Sequence, residues 1–373
     1  MLSFDEIRNI IQQKSFNRKT YFFNKRIIHM NERSALCSYR LKSDPNQKIL
    51  IKKSSSKQIL NSYDISFHIL NNLPHFRSTY GYRLSLFKNY HKLYLEYIQG
   101  ITFDIYLKKY FSIKIFHNLL FQIIFTLEES QEKHKFTHYD LHFKNILVCR
   151  SDSTKLFQFT INGHDVLLDN LGWKIIIIDF DFSCSRSLKH IYVEKKLMSY
   201  GYLGIFLAGH DLLRFFFCLR KIIRLPNIDK YLKFFVNYFF FNFFKIINMD
   251  EKCTDIHEKY FFCMIHKTQI YLTPLQYYIF LKENYKIFNI NNIPNIKNLS
   301  ICKKYSNIYI PVLTSSEESI KLFIEKFQDI KAHTIEDIYI HRIVYSLKKL
   351  LLILRKENIK SISIPKAIIN LRL

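Results

Sequence analysis

The stretch FTHYDLHFKNILV at 136–148 places His138, Asp140 and Asn145 directly ahead of an apolar run. A carboxylate and an amide in that order suit phosphoryl transfer, which asks little covalent chemistry of a protein. It needs a carboxylate to orient the attacking hydroxyl and oxygen ligands to hold Mg²⁺ on the phosphates. Asp140 and Asn145 supply one of each. A second carboxylate, Asp179, ends the apolar run KIIIID at 174–179, where an ionised side chain is costly without a ligand or partner. Each residue alone also reads as ordinary structure: Asp140 as a loop cap, Asn145 as a turn amide, Asp179 as the partner of a buried cation. Their order along the chain (helix, H-x-D-x-x-x-x-N, strand, strand, D-F) favours the joint reading.

Those residues need elements to hold them. KILI, fed by an Asp-Pro-Asn turn, and HKLYLEYI at 91–98 read as strands, so the first 110 residues are expected to be sheet-rich. A short helix follows Gly100 from about Thr102. Phe116, Leu119, Leu120, Ile123, Ile124 and Leu127 recur as one face of a helix ending near Lys133. NILVCR and KIIIIDF read as strands, the second fully buried, and the chain beyond about 205 as mainly helical. YLKFFVNYFFFNFFKII at 231–247 is interrupted by Lys233, Asn237, Asn242 and Lys245 and falls short of the roughly 20 residues a spanning helix needs. It reads as a buried helix, and no transmembrane segment is expected.

The chain has 373 residues, 48% of them hydrophobic, enough for one large domain or two ordinary ones. Its formal charge of +25 could mark a nucleic-acid or anionic-membrane partner. However, 35 Phe, 25 Tyr and only 7 Gly beside abundant Ile, Asn and Lys point to AT-rich codons, and the cations form no dense block. Nucleic acid is not expected as the main ligand; acidic or phosphate-rich partners stay compatible. The 7 cysteines are odd in number, form no CxxC pair and follow no leader-like N-terminus, which suggests free thiols, no zinc site and a reducing, cytoplasmic location.

HYDLHFKN resembles the catalytic loop of the protein-kinase-like superfamily, and IIDFDFS its metal-binding strand end, with Asp181 where that family usually has Gly. The DFD form followed by Ser183 is most similar to the divergent serine/threonine kinases of poxviruses and other large DNA viruses. The resemblance covers roughly residues 30–290 and implies an α+β, bilobal protein-kinase-like fold. A small sheet-rich N-lobe would span 1–97 and a large helical C-lobe 98–295, with a helical extension over 296–373 that includes SSEESIKLFIEKF. It implies ATP and Mg²⁺ (or Mn²⁺) in the cleft, a protein substrate phosphorylated on Ser or Thr, and a place in the host-cell cytoplasm or the virion. On this resemblance Asp140 is the catalytic base, Asn145 and Asp179 are metal ligands, and His138 braces the loop. Lys52 in ILIK matches the phosphate-binding lysine, Glu96, Tyr97 and Ile98 offer backbone groups to adenine with Leu95 behind it, and Asp211 ties down the catalytic loop.

The sequence departs from the family pattern in several places. No Gly precedes Gly81, so NERSALCSYRL at 31–41 has to replace a glycine-rich loop. No Glu lies between Glu32 and Glu96, which makes Asp64 the expected partner of Lys52. His142 stands where a lysine is usual, and Lys144 becomes the candidate γ-phosphate cation. The long span from Asn145 to Asp179 implies an inserted hairpin or loop over SDSTKLFQFTINGHDVLLDNLGWK, and no A-P-E follows Asp179. Ser183, Ser185, Ser187 and Tyr200 suit a phosphorylated activation segment but equally a solvated loop. Two other readings stand beside the protein kinase: a small-molecule kinase, because D-L-H-x-x-N also resembles aminoglycoside and sugar kinases, and an inactive kinase-like scaffold.

Overall fold

Ser3 and Glu6 close a reciprocal cap, Glu6 N–H donating to Ser3 Oγ at 3.2 Å and Ser3 N–H to Glu6 Oε2 at 2.6 Å, which starts helix α1 (Phe4–Gln12). The computed structural model describes residues 2–30, 34–71, 73–85, 90–152, 154–186, 188, 206–246, 273–288, 290 and 293–294. After α1 come α2 (Arg18–Tyr21), β1 (Phe22–Met30), β2 (Ser34–Leu41), β3 (Lys48–Ser54) and α3 (Gln58–Asp64), which runs on into a π-turn at Ile65–Ile69. With β4 (Thr79–Ser85) and β5 (Tyr90–Glu96) the strands form an antiparallel sheet of order β1-β2-β3-β5-β4. Strand alternation decides what each face holds. Ile49 and Ile51 join Tyr94, Ile7 and Ile11 in one core on the α1 side, while Leu50 joins Leu93, Leu95 and Ile59 of α3 on the other. Lys52, two residues after Leu50, shares that second face. Gly81 lets α1 lie close on β4, since a Cβ there would come within 3.1 Å of Ile11 Cγ2.

The next part of the chain is mainly helical. Its elements are β6 (Ile101–Thr102), α4 (Phe103–Lys109), α5 (Ile113–His134), β7 (Phe136–Thr137), β8 (Ile146–Arg150), β9 (Phe157–Ile161), β10 (His164–Leu168), β11 (Trp173–Ile177), β12 (Cys184–Ser185), α6 (His210–Ile222), α7 (Lys230–Ile246) and α8 (Pro274–Glu283). The whole is a mixed α+β structure. β9 and β10 make the hairpin expected in the long span before Asp179, and β11-β8-β6 form a three-stranded sheet. The expected strands, the helix from Thr102 and the helix ending near Lys133 are all present. Helix α1 was not foreseen, although its S-x-x-E cap is in the sequence.

One expectation needs correcting: α5 does not bury a single face, because it is enclosed along most of its circumference, polar residues included. Its buried polar groups bind other elements instead of water. Gln122 accepts from Ile175 N–H at 2.9 Å and donates to Trp173 O at 2.9 Å, fixing β11 to the helix. Two half-buried glutamates do the same: Glu132 accepts from Asn162 N–H in the β9–β10 turn at 2.9 Å, and Glu128 from Leu275 N–H in the first turn of α8 at 3.0 Å. Among the described residues no helix is long and apolar enough to cross a membrane. Helix α7 instead buries Leu232, Phe235, Val236 and Phe239 in the helical core.

Gly100 matters for packing. A Cβ at this position would stand 2.6 Å from Cys149 Sγ and 3.0 Å from Val148 O. Gly100→Ala is therefore expected to destabilise the chain by about 1–3 kcal/mol through overpacking. In urea melts, adding Cys149→Ala should recover part of the loss, since it removes one of the two obstacles; a Gly100→Ala melt equal to wild type would contradict this contact.

Candidate active site

The antiparallel pairing of β8 with β11 brings the two motifs together. Ile146 pairs with Ile177, so Asn145, just before one strand, lies beside Ile178 and Asp179, just after the other. Ile178 N–H donates to Asn145 O at 3.0 Å, and His138 Nε2 meets Ile178 O at 2.9 Å. Asp179 takes a left-handed conformation, φ +68°, which turns the chain sharply out of the strand. Phe180 then drops into a ring cluster with Phe76, Phe136 and His138.

The 138–145 loop is held from below by α6. Both oxygens of buried Asp211 accept backbone bonds at 2.8 Å, Oδ2 from His138 N–H and Oδ1 from Tyr139 N–H. Burial pushes the Asp211 carboxyl up to about 7, against the downward pull of those two amides and of Arg214. His138 is buried, which lowers its pKa from the ordinary imidazole value. Its ring nitrogen Nε2 meets the Ile178 carbonyl at the end of the neighbouring strand.

Asp140 has Arg214 and His142 beside it. Arg214 Nη2 donates to its Oδ1 at 2.7 Å, and His142 Nε2 lies 3.5 Å from its Oδ2. Asn145 Nδ2 is committed to the Asp140 backbone oxygen at 2.9 Å, which leaves its amide oxygen for a cation. Lys144, by contrast, is exposed, and the basic side chain paired with Asp140 is Arg214. A signal for Arg214 was present: it lies three residues after Asp211, on the same side of a helix that faces the loop.

Lys52 also reaches the site, with a different partner from the one expected. Its Nζ donates to Asp179 Oδ1 at 2.7 Å and to Asp181 Oδ2 at 2.6 Å. The expected Lys52–Asp64 pair is not what the structure contains. The α3 residues that touch this cluster are Asn61 and Ser62, which hydrogen-bond Asp181, while Asp64 sits half-buried at the end of the helix. Burial disfavours the Lys52 ammonium, but Asp179 and Asp181 more than offset it and hold its pKa above the ordinary lysine value. Partial burial likewise opposes ionisation of Asp179, and Lys52 overcomes it, keeping that carboxyl below the usual carboxylate range. Asp181, partly buried and beside a second carboxylate, is held above it. Buried Arg77 stands behind Asp179 and Glu96, its pKa lowered by burial to about 10. Sequence reading missed it, because an arginine in a polar connection carries no motif.

Of the adenine-side candidates, Leu95 lies in the core with Leu50, and Tyr97 packs on that core under Lys48, whose Nζ is 5.1 Å from the ring centroid. Glu96 is tied to the Ser78 backbone, its N–H donating to Ser78 O at 3.1 Å. Ile98 packs on Leu147, Cys149 and Ile176. Residues 31–33 of the segment expected to replace a glycine-rich loop lie outside the described residues, as do Ser187, Tyr200 and 296–373. Ser183 and Ser185 are not a solvated segment: both are buried, donating to His138 O at 3.1 Å and His134 O at 2.6 Å. A cavity of about 440 Å³ lies elsewhere, lined by His117, Asn118, Leu168 and Asp169 among others but by none of these candidates.

Among the described residues no three His, Cys, Asp or Glu side chains have metal-holding geometry. Asp179 with Asn145 still fits Mg²⁺, which takes one or two protein oxygens and completes its shell with phosphate oxygens and water. Lys52 suits a phosphate at the same point.

No family model matches the chain. It is 26% identical over 217 residues, 58% of its length, to a protein of Invertebrate iridescent virus 3 named Probable kinase 098L. It is 35% identical over 78 residues, 20% of its length, to Uncharacterized protein 098R of Invertebrate iridescent virus 6. These alignments span 40% and 13% of the relatives' own lengths. At that identity, the chain is related coarsely to a viral protein named as a kinase.

Proposed function

We propose that this chain is an ATP-dependent phosphotransferase of bilobal protein-kinase-like fold, with protein serine or threonine hydroxyls as acceptors. Residues 1–97 and 98–295 would be its two lobes, and 296–373 an extension. The observation that carries this reading is the convergence of Asp140, Asn145, Asp179 and Lys52, from three separate stretches of the chain, on one loop-and-strand-end arrangement anchored by Asp211.

Each residue has a task that its contacts suit. Asp140, oriented by Arg214, accepts the proton of the attacking hydroxyl. Lys52 binds phosphate oxygens, and Asp179 and Asn145 hold Mg²⁺ (or Mn²⁺). When bound, that ion neutralises charge on the transferring phosphoryl group. Backbone groups of Glu96, Tyr97 and Ile98 bind adenine in front of Leu95. His142, 3.5 Å from Asp140 where a lysine would be usual, favours one second reading, a small-molecule acceptor.

The test is transfer of labelled γ-phosphate from ATP, with Mg²⁺ or Mn²⁺, to the chain itself and to a generic acceptor protein. Label on phosphoserine or phosphothreonine is the expected result. Nucleotide binding with label appearing only on an aminoglycoside or sugar would transfer the case to the second reading; neither binding nor label would refute both.

A further inference from the structure

We propose that Asp181 is the positioning carboxylate of Lys52, supplying from the metal-binding segment the negative charge that α3 does not provide. The inference rests on the phosphotransferase reading. Between Glu32 and Glu96 the acids are Asp44 and Asp64, and neither meets Lys52. Where α3 faces this cluster it offers neutral donors instead. Asn61 Nδ2 donates to Asp181 O at 3.0 Å, and Ser62 Oγ donates to Asp181 Oδ1. Donors of that kind cannot pair an ammonium, but they can hold a carboxylate that does.

Asp181 is therefore gripped on one oxygen by α3 and presents the other, Oδ2, to Lys52 at 2.6 Å. The two carboxylates at Lys52 also differ in exposure: the Asp179 side chain is 43% exposed and that of Asp181 20%. The open one suits a cation carried in with phosphate, and the enclosed one suits a standing contact within the protein. Asp181 thus joins three parts: the lysine on β3, the helix α3 and the segment bearing Asp179. A displacement of that segment would remove the partner of Lys52 and the metal ligand in one movement, so that nucleotide handling depends on a single piece of chain.

The test is a double-mutant cycle on phosphotransfer by the full chain, using Asp181→Asn, Lys52→Met and the pair, at low and high Mg²⁺. Asp181→Asn should lower kcat about 100-fold, the scale for losing one preorganised charge contact. Lys52→Met should cost about as much, and the pair should be no worse than Lys52→Met alone to within about threefold. Ser62→Glu placed in an Asp181→Gly background should restore at least about tenfold, because it puts the carboxylate on α3. That rescue also separates a positioning role from a folding defect. Losses that multiply, or a loss in Asp181→Asn that high Mg²⁺ reverses, would overturn the proposal, the latter making Asp181 a metal ligand. An Asp181→Asn chain as active as wild type would sink the role of Asp181 alone. A wild-type chain that transfers phosphate to nothing would remove the phosphotransferase reading and this inference together.

Discussion

Asp140→Asn should reduce phosphotransfer about 10³-fold while leaving nucleotide affinity near wild type, because it removes a proton acceptor and little else. The amide is close in shape to the carboxylate, and its oxygen can still accept from Arg214, which now stands 2.7 Å from Oδ1. What it cannot do is take a proton from a hydroxyl. Arg214 acts through Asp140, so Arg214→Ala should have a smaller effect, about tenfold on kcat, and should add little in the Asp140→Asn background. Steady-state transfer with a fixed acceptor measures both. If Asp140→Asn transferred within about threefold of wild type, Asp140 would not be the base, and the reading of the 138–145 loop would fail.

The loop was legible because its chemistry is local. His138, Asp140 and Asn145 lie within one short stretch, and the apolar run before Asp179 makes its carboxylate conspicuous. Antiparallel pairing of β8 with β11 then places them side by side, an arrangement that two strand-like runs already imply. The partner of Lys52 was not legible in the same way. The family pattern expects an acid on the helix after β3, and the acid α3 carries is Asp64. Which side chain meets an ammonium depends on how a helix is rotated over a sheet, and no periodicity in a seven-residue helix determines that. Asp181 was visible as a departure from the family pattern, yet its contact with Ser62 joins residues 119 apart in sequence. Arg77 was missed for the same reason: a buried cation gains its meaning from the acids around it.

Asp211→Ala should be the most destabilising of the changes considered, at about 3–5 kcal/mol, and should abolish transfer as well. The carboxylate is fully buried and accepts from two successive backbone amides, so truncation strands two donors in a place water does not reach. The 138–145 loop would lose the anchor that sets the direction of Asp140. Asp211→Asn is the informative companion, because its NH₂ group faces one of the two N–H donors and spoils one bond while filling the space. The pH dependence has a definite sign. Burial raises the folded pKa to about 7, above the ordinary 3.8, so the folded chain binds more protons between those values than the unfolded chain does. The contribution of Asp211 is then greatest below pH 3.8, falls as pH rises through about 7, and levels off above it. Urea melts at pH 5 and pH 8 should show the advantage of wild type over Asp211→Asn shrinking at the higher pH. An advantage that stayed level between the two pH values would mean that the two amides and Arg214 outweigh burial, and that Asp211 holds the loop as a fully ionised group throughout this range.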